Sequence, residues 1–65
     1  MKHSKVLNGK RVVVRAADDC LDHGLVVEGI YQYYYRSRDF GLQKDHDSHI
    51  AIFSRDEWDV VSVGN

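Results

Sequence analysis

The stretch "HIAIFSRDEWDVV", residues 49–61, decides the fold. It places an apolar run, a charged tetrapeptide and a second apolar run in close succession. "HIAIF" (49–53) and "WDVVSV" (58–63) hold the β-branched and aromatic residues that suit strands. Between them, Ser54-Arg55-Asp56-Glu57 has the S-x-x-E spacing of a capping box. In that motif the Ser54 hydroxyl accepts from the Glu57 amide, and the Glu57 carboxylate accepts from the Ser54 amide. Asp56 suits the positive end of a helical turn. With strands on both sides, the spacing predicts one short helical turn over residues 54–57, before the last strand.

The chain before this corner also reads as strands. "KRVVVRAA" (10–17) alternates Val12, Val14 and Ala16 against Arg11, Val13 and Arg15, after an Asn-Gly turn signal at 8–9. "DDCLDHG" (18–24) is polar, ends in glycine and reads as a loop. In "LVVEGIYQYYYR" (25–36) the odd positions, Leu25 to Tyr35, are expected to face the core. That run is long for one strand, so Gly29 is where a bulge or bend is expected, and a bulge would turn Ile30 inward. "FGLQK" (40–44) is a short strand with Phe40 and Leu42 on one face. "SRD" (37–39) and "DHDS" (45–48) are turns. The expected core is Val12, Val14, Leu25, Val27, Tyr31, Phe40, Leu42, Phe53, Trp58 and Val61.

Sixty-five residues allow one domain, 1–65, with residues 1–8 read as a loosely ordered lead-in. A chain of this size buries only about 60% of its unfolded surface. One cysteine, Cys20, closes no internal disulfide, which favours a reducing compartment, the cytoplasm. "MKHSK" at the start leads into no apolar run of signal-peptide or membrane-helix length, so neither export nor a membrane partner is expected.

The order of a long loop, a long second strand, a short third strand, a fourth strand, a helical turn and a fifth strand resembles SH3-like barrels. The resemblance runs from about Gly9 to Val63, with "DDCLDHG" in the place of that family's first long loop and "SRDE" in the place of its helical turn. It implies an all-β, small five-stranded barrel. The ending "HIAIFSRDEWDVV" is similar to that of small SH3-like domains of bacterial and phage proteins. The signalling SH3 domains that bind proline-rich peptides differ: they carry an Ala-Leu-Tyr-Asp-like run early, a Trp-Trp pair and a proline before the turn. Here "VVVRAAD" and Ser54 stand in the first and last of those places, and no Trp pair occurs.

The expected role is non-enzymatic binding to a larger protein, which the domain then modulates; a phage or mobile-element origin fits the length and the missing export signal. The surface expected to carry it joins Tyr33, Tyr34 and Tyr35 to the acidic loop residues Asp18, Asp19 and Asp22, because tyrosine is enriched at interface hot spots. Both faces of "HIAIF" are apolar, so Ile50 and Ile52 join that surface, with self-pairing into a homodimer as one use of it. The alternative is nucleic-acid binding by Lys10, Arg11, Arg15, Arg36 and Arg38, with Tyr34 stacking on a base. Against it stands the net charge of −1, with nine basic and ten acidic residues. Cys20-x-x-His23 and His46-x-x-His49 have zinc-like spacing within each pair. In an SH3-like barrel, however, their loops lie at opposite ends, so no metal or other cofactor is expected. Cys20, Asp22 and His23 sit close along one loop, which does not supply the rigid geometry a nucleophile needs.

Overall fold

The computed structural model describes residues 2–17, 24–44 and 49–64. Five antiparallel strands form one sheet: β1 (Arg11–Ala16), β2 (Val26–Tyr33), β3 (Asp39–Gln43), β4 (Ile50–Ser54) and β5 (Trp58–Val63). Their hydrogen-bonded order is β4-β3-β2-β1-β5, so β4 and β5 are the two edges. The sheet is therefore open, and the barrel closure expected from the sequence is not made by strand pairing.

β2 is the shared strand. Its first part, Val26 to Ile30, pairs with β1, and Ile30 to Tyr33 pairs with β3. The β1–β2 register is unbroken through Gly29, so the expected bulge is not there. Gly29 is instead a point of close approach. A Cβ on it would stand 3.1 Å from the Gln43 carbonyl oxygen and 3.2 Å from the Leu42 Cβ. The end of β3 thus curls over Gly29 on the inner face, which bends the sheet and makes that face concave.

The inner face holds the core: Val12, Val14, Ala16, Tyr31, Phe40, Leu42, Trp58 and Val60 are buried, with Val27, Tyr33, Phe53 and Val63 packed at the margin. Two expected core residues are outside it, Leu25 at 52% and Val61 at 48% exposure. Leu25 precedes β2, where its carbonyl accepts from Ala16 N–H while its side chain points away from the core. Val61 is displaced by a bulge. Val12 pairs with Val63 and Val13 with Ser62, but Val14 pairs with Val60, which leaves Val61 as the extra residue. The inward alternation Trp58, Val60 then resumes one position late, at Val63.

The corner after β4 is closed by a single i to i+3 bond, the 3-10 pattern. Glu57 N–H donates to Ser54 O at 3.2 Å, and the Ser54 hydroxyl accepts from Asp56 N–H at 3.2 Å rather than from Glu57. Three residues between two strands close one turn and no more. The Glu57 amide is already used by the Ser54 carbonyl, so the hydroxyl takes the next one.

The one 3-10 helix among the described residues is Lys5–Leu7, N-capped by the Ser4 side chain. It lies in the segment expected to be loosely ordered. Leu7 is buried in the core cluster, and the Asn8 side chain accepts from Tyr33 N–H at 3.0 Å. No helix among the described residues is long and apolar enough to cross a membrane.

Candidate functional site

On the outer face, the register lines up Ile30, Gln43 and Ile50 in one row across β2, β3 and β4, and Gln32, Gly41 and Ile52 in the next. Tyr34, just past the end of β2, joins this face. A Cβ on Gly41 would stand 2.5 Å from the Ile50 Cγ2 and 2.9 Å from the Tyr34 hydroxyl oxygen. Gly41 is therefore the floor of a small patch walled by Tyr34 and Ile50. Ile50 and Ile52 are 41% and 56% exposed. The sequence reading of these two as outward-facing agrees with this placement. It did not foresee that Tyr34 meets Ile50 there.

The backbone of β4 adds to the patch. Arg55 N–H donates to Arg38 O at 2.7 Å, so the 38/55 pair is a hydrogen-bonded one. Antiparallel pairs alternate between bonded and non-bonded. Phe40/Phe53 and Leu42/Ala51 are then bonded, whereas Gly41/Ile52 and Gln43/Ile50 are not. It follows that the N–H and C=O groups of Ile50 and Ile52 point away from β3, out of the sheet's edge. Ala51, on the inner face, is exposed as well. Among the described residues, the first half of β4 is thus exposed on both faces, with no strand paired along its outer edge.

Tyr33, Tyr34 and Tyr35 do not share one surface. Tyr33 is half-buried on the inner face, with the Arg55 guanidinium 4.7 Å over its ring. Arg55 also donates through Nη2 to Tyr34 O at 2.9 Å and through Nε to Asp39 O at 3.2 Å. It clamps the end of β2 to the start of β3, a role the capping-box reading of "SRDE" gave no hint of. Tyr35 sits in the following turn, 76% exposed, with the Arg36 guanidinium 5.4 Å over its ring. Arg36 has φ of 59°, the left-handed region in which non-glycine residues are uncommon.

The basic residues are divided between two ends. Arg15 faces Val26 at one end of β2, while Arg36 and Arg38 lie beyond Tyr33 at the other. Lys10 is exposed just before β1. Arg11 pairs with Glu28 at 3.4 Å and Arg38 with Asp56 at 3.1 Å. Asp18, Asp19 and Asp22, with Cys20, His23 and His46, fall outside the described residues. Among the described residues, no three His, Cys, Asp or Glu side chains converge as a metal site.

Neither a protein-family model, nor a curated protein, nor a solved structure matches this chain.

Proposed function

We propose that this is a small SH3-like barrel domain that binds a larger protein by receiving one of its extended segments along β4. The strand order, with β2 shared between two halves of a bent sheet, supports the SH3-like reading. The binding reading rests on one observation: Ile50 and Ile52 present both their outward backbone groups and their exposed side chains at the same edge. Strand addition uses this pairing, with main-chain bonds for affinity and alternate side chains for selectivity. The matching segment is uncharged, with apolar residues at every second position to lie beside Ile50, Ile52 and Tyr34. Binding there lets so small a domain modulate a larger one without chemistry of its own. The basic side chains gather on no single face and two of them are ion-paired, so the protein reading is the one carried forward.

Affinity capture with the wild-type chain, Ile52→Lys and Val61→Lys tests this. A partner held by wild type and Val61→Lys but lost with Ile52→Lys is the expected result. Equal retention by all three removes β4 from the interface.

A further inference from the structure

Residues 2–8 cross the concave face. Apart from the Ser4 cap, their hydrogen bonds to one another are backbone bonds within the segment: Leu7 N–H to Ser4 O and Asn8 N–H to Lys5 O, both 3.1 Å. Among the described residues ahead of the buried Leu7, the polar tie to the sheet is one side chain. His3 Nδ1 lies 2.9 Å from the Tyr31 hydroxyl, and Nε2 lies 2.6 Å from the Trp58 carbonyl oxygen. A carbonyl only accepts, so Nε2 carries the proton. In the neutral ring Nδ1 then offers a lone pair, and the Tyr31 hydroxyl donates to it. The ring lies 4.5 Å from the ring of Phe40, tilted by 33°, and 5.8 Å from that of Tyr31, tilted by 26°. Tyr31 and Phe40 are themselves fully buried, stacked 5.3 Å apart, and Phe53 and Trp58 continue the aromatic row. Burial pushes the Tyr31 phenol above its ordinary range, Arg55 partly offsets this and Tyr33 adds to it, so the hydroxyl remains a donor.

We infer that the aromatic end of the concave face is a binding site for the imidazole ring of a histidine side chain, held in cis by His3. The Trp58 carbonyl requires a donor, the Tyr31 hydroxyl a facing acceptor, and the Phe40 ring a flat neighbour. Imidazole carries its donor and acceptor on one five-membered ring at the spacing these partners set. A phenyl ring has neither group, an indole only the donor, and an ammonium group no flat face. Because His3 makes the polar attachment among the described residues ahead of Leu7, withdrawing its side chain opens the slot to a histidine of another chain. His3 is in this sense an internal competitor. The slot is on the opposite face from the β4 patch, and its failure leaves the edge reading intact.

The test is His3→Ala titrated at pH 8 with free imidazole and, separately, with 1-methylimidazole, which has no N–H to give the Trp58 carbonyl. Fluorescence of Trp58, the chain's one tryptophan, and the thermal midpoint are read. Saturable binding of imidazole is expected, with recovery of the midpoint toward wild type. Binding of 1-methylimidazole is expected to be roughly tenfold weaker, the worth of one hydrogen bond. No saturation, or equal binding of the two, overturns the inference. Should His3→Ala not fold, nitrogen NMR of the wild-type His3 ring decides. One fixed tautomer with the proton on Nε2 is expected, and a rapidly averaged ring overturns the site.

Discussion

The Tyr34 hydroxyl and the Ile50 methyl group converge over Gly41, each within 3 Å of the place a Cβ would take. Nothing larger than hydrogen fits beneath them. Gly41→Ala is expected to push both side chains outward and cost about 1–3 kcal/mol, the usual range for an overpacked site. A lower urea midpoint with an unchanged slope checks this.

Arg55 makes three contacts at once, to the Tyr33 ring and to the carbonyls of Tyr34 and Asp39. Lysine keeps the charge but not the planar fork. Arg55→Lys should therefore lose about 1–2 kcal/mol, and Arg55→Met somewhat more. Matched denaturation curves of the three proteins order them.

The bulge in β5 gives a parity test. Val60 is 1% exposed and Val61 48%. Val60→Ala should cost about 1–3 kcal/mol, and Val61→Ala no more than about 0.5. Equal costs would mean that the bulge is misplaced.

Tyr31 makes stability depend on alkaline pH. Its folded pKa is raised, chiefly by burial. Below about 10, the ordinary tyrosine value, the phenol is protonated whether the chain is folded or not, and its contribution is complete. Above that value the unfolded chain releases the proton first, so stability falls until pH passes the folded value. Urea midpoints at pH 9 and pH 11 should fall more for wild type than for Tyr31→Phe.

Much of the fold was legible because alternation is a local signal. Val12, Val14, Tyr31, Phe40 and Leu42 face inward as their spacing requires. The β5 parity was not legible, since an extra residue in an edge strand leaves no mark in "WDVVSV". Nor was the phase of β4, since whether Ile50 offers its backbone to β3 or to solvent depends on the partner strand. His3 and Leu7 escaped notice because they are brought to the core by a segment with no strand pattern. For the site, Ile50 and Ile52 were readable from two apolar faces on one strand. Their meeting with Tyr34 depended on a glycine whose importance appears only when three strands are side by side.

The bulge at Val61 has one more effect. Bulges twist an edge strand and spoil it as a template, and the exposed Asp59 on β5 adds a charge there. β4 has neither device. A sheet that grows into a fibril needs two adhesive sides, one for the unit before and one for the unit after. Under the edge pairing proposed above, this molecule offers one such side, β4, and not the second.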